Sequence, residues 1–236
     1  MPAAPTPRIV AIGGGGFSTE DYSLRQESWL LSLVRKPRPN VLFVATASGD
    51  RELYHLRFLR AFARLGCQAD TLSFFPYDMK RDYAQAVRGA DMVFVGGGNT
   101  PAMLAVWREF GFDVALREAW QAGTLIAGIS AGANAWFEHY VTDSVPGGGV
   151  RPGLGWLPGT FCPHLDSEAW RQGVLRARSG HLAGAGEHVA VLYEGSQWQA
   201  AVHDAAPNVQ PLCWRRDAAA GDVQVVVPQA LPVSVD

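Results

Sequence analysis

Along the first half of the chain, short apolar runs recur, and most end in a turn rich in glycine, serine or asparagine. Residues 9–12 run into Gly13-Gly14-Gly15-Gly16, and residues 41–45 into the polar loop 46–50. Residues 91–95 run into Gly96-Gly97-Gly98-Asn99, and residues 124–128 into Ser130. Residues 69–74 form a further strand candidate. Between these runs the apolar residues switch to helical spacing. Leu24, Trp29, Leu30 and Leu33 mark a helix over 22–34, and Leu56, Phe58, Leu59, Phe62 and Leu65 one over 53–65. Shorter helices fit 82–87 and 114–122. Thr100 is a candidate N-cap, with Pro101 at the first helical position. Strands alternating with helices in this rhythm predict an α/β fold, a mostly parallel sheet with helices on both faces. In such sheets, sites form beyond the carboxyl ends of the strands, where these turns fall.

Past Ser130 the spacing predicts a helix from 131 to about 140. Residues 145–158 are rich in Gly and Pro and read as loops or short strands. A strand over 160–162 leads into Pro163-His164, and a helix follows over 168–178. The tail alternates short apolar runs with turns (189–193, 198–202, 209–212, 223–227). These predict antiparallel strands that finish the sheet or form a small β-layer. With no internal repeat and no linker, residues 1–236 read as one α/β domain preceded by a disordered tail over 1–7.

Of the 236 residues, 48% are hydrophobic and 18% charged, which excludes a disordered polymer. Twenty basic side chains against 22 acidic ones give no electrostatic case for nucleic acid or an anionic membrane surface. No run of about 18 apolar residues predicts a membrane span, and the N-terminus does not read as a secretory leader. Cys67, Cys162 and Cys213 are far apart, so neither a zinc cluster nor a disulfide framework is implied, and a cytoplasmic location is expected. No metal-ligand spacing is present, and no cofactor is called for.

The sharpest chemical feature is Gly128-Ile129-Ser130-Ala131-Gly132 between a strand and a helix. A serine on such a tight turn lifts its hydroxyl above the sheet, and small neighbours let the backbone pack around it. The amides of the following helix can stabilise an oxyanion. The plainer alternative is a glycine-rich turn with a capping serine. An oxyanion hole draws its two donors from different loops, and Ala131 and Gly98 are the natural candidates. Of six histidines, His164 has the most fixed setting, after a strand and Pro163. A serine hydroxyl needs such an imidazole to take its proton.

Three segments in combination resemble the serine peptidases that include dipeptidase E (aspartyl dipeptidase) and cyanophycinase. They are Phe94-Val95-Gly96-Gly97-Gly98-Asn99-Thr100, Gly128-Ile129-Ser130-Ala131-Gly132-Ala133-Asn134 and Cys162-Pro163-His164-Leu165-Asp166. The likeness covers roughly residues 8–200. It implies a fold like that of class I glutamine amidotransferases, with serine in place of cysteine at the turn. By that resemblance Ser130 is the nucleophile, His164 the base, and Gly98 and Ala131 the oxyanion donors. The acid that orients His164 is Asp143, with Glu138 as the alternative; Asp166 fits a local turn or a substrate contact. Arg171 and Asn99 are the candidate substrate contacts, Arg171 because the aspartyl dipeptidases use a downstream arginine to hold the side chain of an N-terminal aspartate. A solvated helix face is the equal alternative for Arg171. Family members are often homodimers.

The expected activity is therefore a serine-type exopeptidase that hydrolyses short peptides through an acyl-enzyme, with N-terminal Asp as the candidate preference. A cyanophycinase-like, carboxypeptidase-like or esterase activity is the alternative within the same chemistry. A non-catalytic binding module is the alternative outside it.

Overall fold

The computed structural model describes residues 5–19, 23–75, 82–217 and 221–232. Strands β1 (Arg8–Ile12), β2 (Asn40–Val44), β3 (Gln68–Leu72), β4 (Met92–Val95) and β5 (Leu125–Ile129) fall close to the apolar runs that predicted them. So do helices α1 (Arg25–Val34), α2 (Glu52–Ala63), α3 (Tyr83–Arg88) and α5 (Phe112–Gln121). The expected start of the first helix at Tyr22 lies outside the described residues. Helix α4 (Thr100–Glu109) is capped by Asn99 rather than Thr100. The Asn99 side chain accepts from the Ala102 amide at 2.9 Å, and Pro101 sits one position further in than expected.

The five strands pair in parallel in the order β1-β5-β4-β2-β3. Strands β10 (Val189–Glu194), β11 (Gln197–His203) and β14 (Gln229–Ala230) extend this sheet beyond β1, with β10 antiparallel to β1 and β11 antiparallel to β10. Alternation along β1 shows how the two faces are covered. Val10 and Ile12 pack with Leu30 of α1 and Phe58 and Phe62 of α2. Ile9 and Ala11 belong to the opposite core, with Trp107 of α4, Leu116 of α5, and Phe137 and Phe161. Both faces are buried, as the near-continuous apolar strands require.

A second sheet, with six strands, departs from the sequence-based expectation. It contains β6 (Phe137–Thr142), β7 (Gly149–Pro152), β8 (Leu157–Cys162), β9 (Leu182–Ala185), β12 (Cys213–Arg216) and β13 (Gln224–Val226), in the order β13-β12-β9-β8-β6-β7. The helix predicted over 131 to 140 is only one turn, α6 (Ala131–Asn134). The chain then enters β6, which pairs with β7 and β8. Glu138 and His139 therefore stand on a strand. Pairing between distant segments overrides local helical spacing here. The C-terminal strands are shared between both sheets. The expected strand over 209–212 is displaced to β12, and the helix expected over 168–178 is α7 (Ala169–Arg176).

No helix among the described residues is long and apolar enough to cross a membrane.

Candidate active site

Four carboxyl ends of parallel strands converge. In the first sheet, β5 ends at Ser130 and its parallel neighbour β4 ends at Gly96-Gly97-Gly98. In the second, β8 ends just before His164 and its parallel neighbour β9 ends two residues before Glu187. The two sheets are joined at this point. Gly14, past the end of β1, bridges Glu187, and the Gly14 carbonyl accepts from the His188 amide at 3.0 Å.

Ser130 has φ 54° and ψ −110°, a strained backbone for a residue with a side chain. Two main-chain bonds hold it. Its amide donates to the Ile12 carbonyl at 2.9 Å, and its carbonyl accepts from the Asn134 amide at 3.0 Å. The turn closes only because Gly132 lacks a side chain: a Cβ there would lie 2.3 Å from the Val95 carbonyl oxygen. His164 is also left-handed, with φ 51°. Its Nε2 lies 2.8 Å from Ser130 Oγ, and its Nδ1 meets Glu187 Oε1. An ionised carboxylate only accepts, so the ring proton belongs on Nδ1, and Nε2 is left as the acceptor for the serine hydroxyl.

Glu187 is fixed from its own backbone. Its amide donates to both carboxylate oxygens of Asp166, at 3.0 and 3.1 Å, so Asp166 serves the local turn. The hydrogen bond from His164 lowers the Glu187 pKa, against the opposing effect of burial; charge on His164, His188 and Arg171 lowers it further. Beyond it, His188 Nδ1 pairs with the buried Asp204 at 3.1 Å, and that hydrogen bond raises the pKa of His188.

Gly98 has φ 138°, and a Cβ there would sit 2.2 Å from the Ala47 carbonyl oxygen. Its amide and that of Ala131 have no hydrogen-bond partner among the described residues, and both residues border a recess that includes Ser130. The loop carrying Gly98 is held on both sides. The Gly97 amide donates to the Tyr54 hydroxyl at 3.2 Å, and the Asn99 amide to the Ala47 carbonyl at 2.7 Å. Burial pushes the Tyr54 phenol up to about 12, so it stays neutral as an acceptor. Two cavities meet at Ser130 and His164. The larger, about 780 Å3, is bordered by Gly14, Ser48, Arg51, Tyr54 and Asn99; the smaller, about 130 Å3, lies toward Asn134 and Asp143.

The structure brings together Ser130, His164, Gly98 and Ala131. It does not bring either expected acid to His164. The exposed Asp143 carboxylate accepts from Arg171 Nη2 at 2.5 Å, and Glu138 Oε2 accepts from the Gly159 amide at 2.8 Å. Asp143 lies past the end of β6 and is drawn to α7, while Glu138 projects from a strand. The acid at the ring is Glu187, which sequence reasoning missed. The available signal was positional: the small residues of β9 form a strand whose carboxyl end lies beside that of β8.

Arg171, expected at the substrate, is 5% exposed and already engaged, with Glu168 Oε2 at 3.1 Å as well as Asp143. Asn99 borders the larger cavity, but its side chain caps α4 and donates to the Ser144 carbonyl at 3.0 Å. Trp136 and Trp156 stack on each other in the core, 5.2 Å apart, rather than lining a cavity. Among the described residues no group of three or more His, Cys, Asp or Glu side chains is placed to hold a metal ion.

Comparison with known proteins agrees with this geometry. The model of Peptidase family S51 matches residues 9–201. An uncharacterized peptidase, YgaJ of Bacillus subtilis (strain 168), is 44% identical over 165 residues, 70% of this chain and 71% of that protein. Peptidase E of Pasteurella multocida (strain Pm70) is 26% identical over 129 residues, 53% of each chain. The crystal structure of a peptidase from an acI-B1 Actinobacterium superposes with a TM-score of 0.74 at 18% identity, covering 95% of this chain and 96% of that one, and so shares the fold.

Proposed function

Because the chain belongs to peptidase family S51, we propose that it is a serine-type exopeptidase that cleaves short peptides through an acyl-enzyme on Ser130. The observation that carries this reading is the continuous line Ser130 Oγ, His164 Nε2, His164 Nδ1, Glu187 Oε1, beside two unpartnered main-chain amides. His164 takes the hydroxyl proton as Ser130 Oγ attacks the scissile carbonyl, and the imidazolium that forms is steadied by Glu187. The amides of Gly98 and Ala131 bind the oxyanion. The proton passes from Nε2 to the leaving amine. A water then enters, is deprotonated by His164, and releases the acyl group from Ser130.

The size of the larger cavity suits a peptide of a few residues rather than a folded protein. Replacement of Ser130 by alanine tests the reading. The variant is expected to keep the native melting profile, lose labelling by a fluorophosphonate probe, and lose hydrolysis of short peptides. Hydrolysis at the native rate by Ser130→Ala refutes it.

A further inference from the structure

The smaller recess beside Ser130 has a chemistry of its own. Its polar lining includes Asp143 and Asn134, with Arg171 at its wall. The Arg171 guanidinium is not open to a substrate anion. It donates to Asp143 Oδ2 at 2.5 Å and to Glu168 Oε2 at 3.1 Å, and it lies 4.7 Å from the ring centre of Trp170. Two carboxylates on one guanidinium leave this cluster negative. Asn134 is 3% exposed. Its Nδ2 donates to Thr100 Oγ1 and the Val141 carbonyl, whereas its Oδ1 is buried and has no partner. The Asp143 side chain is 60% exposed, so that carboxylate keeps room to accept further hydrogen bonds.

From this we infer that the recess selects peptides whose first residue carries a free ammonium and a small uncharged side chain, and that it disfavours an N-terminal aspartate. The inference rests on the peptidase reading above and names its substrate class. Asp143 and the orphaned Asn134 Oδ1 are acceptors, which match the three donors of an ammonium group. A substrate carboxylate would meet the Asp143 carboxylate and displace an existing ion pair before it reached Arg171. The volume, about 130 Å3, holds roughly four waters' worth of substrate, a small aminoacyl unit.

The test compares kcat/KM for Ala-Leu, Ser-Leu, Asp-Leu and N-acetyl-Ala-Leu with the full chain, alongside fluorophosphonate labelling of Ser130. Ala-Leu and Ser-Leu are expected to exceed Asp-Leu by about tenfold or more, and acetylation to lower kcat/KM by a similar factor. In Asp143→Asn the Ala-Leu to Asp-Leu ratio should fall several-fold, chiefly through a higher KM for Ala-Leu. Preference of the native protein for Asp-Leu overturns the inference, as does unimpaired cleavage of the acetylated peptide. Those two arms need no variant to fold. Labelling of Ser130 without cleavage of any free dipeptide also overturns it while the nucleophile assignment stands. Absence of both labelling and cleavage refutes the peptidase reading itself.

Discussion

Replacing Glu187 by glutamine changes the acid at the ring with almost no change in volume. Glutamine can offer an N–H to Nδ1, which moves the ring proton to Nε2 and turns the group facing Ser130 from acceptor to donor. Where its oxygen faces Nδ1 instead, it still leaves the imidazolium without a counter-charge. Unit charges about 4 Å apart at an effective dielectric of about 20 attract by about 4 kcal/mol, or about three decades in rate. The side chains of His164 and Glu187 are 28% and 37% exposed, so solvent screening places the loss near that value rather than above it. The assay is the rate of Ser130 labelling by a fluorophosphonate, supported by kcat/KM on a short peptide. Glu187→Gln should be about 10³-fold slower with an unchanged melting profile. Glu138→Gln serves as the control and should label at nearly the native rate, because Glu138 bonds to the Gly159 amide and not to the ring. A Glu187→Gln rate within about tenfold of native would refute the reasoning.

Gly98→Ala should cost at least about 10²-fold in acylation, read by the same labelling, because the new Cβ meets the Ala47 carbonyl oxygen at 2.2 Å and turns the loop amide away; native acylation would remove Gly98 from the oxyanion site. Burial raises the pKa of Glu27, whose Oε1 accepts from the Phe17 amide at 2.7 Å while its Oε2 is buried without a partner. An acid with a raised folded pKa binds more protons folded than unfolded, so its contribution to stability falls as pH rises from the ordinary glutamate value through the raised one. Glu27→Gln removes that dependence, and its melting-temperature advantage should grow from pH 4 to pH 8; a constant difference would contradict the assignment. Trp107→Phe loses the 3.1 Å bond from Nε1 to Thr46 Oγ1 and leaves a void in the core, which should cost about 2–3 kcal/mol in denaturant unfolding; a loss below about 0.5 kcal/mol would mean the site collapses without penalty.

What the chain states locally is what its sequence discloses. Strands β1, β2, β4 and β5 carry runs of buried residues, and each turn chemistry is written in the two or three residues that follow. Ser130 at the end of β5, the glycines after β4 and His164 after Pro163 are legible for that reason, since a strand end and its turn are set by neighbours in sequence. The resemblance of three short segments then implied how they meet.

The segment after the elbow was not legible in this way. Residues 137–142 follow the pattern buried, exposed, half-buried, buried, buried, buried, which satisfies neither a clean period of two nor one of 3.6. Pairing with β7 and β8 decides it, and those partners lie 10 or more residues away. The same pairing sends Asp143 to α7 and lifts the end of β9 to the imidazole. Which carboxylate serves His164, and whether Arg171 is open or already satisfied, depends on the register of the second sheet. That register minimises buried area and unpaired backbone over the whole molecule, a sum no local stretch of sequence contains.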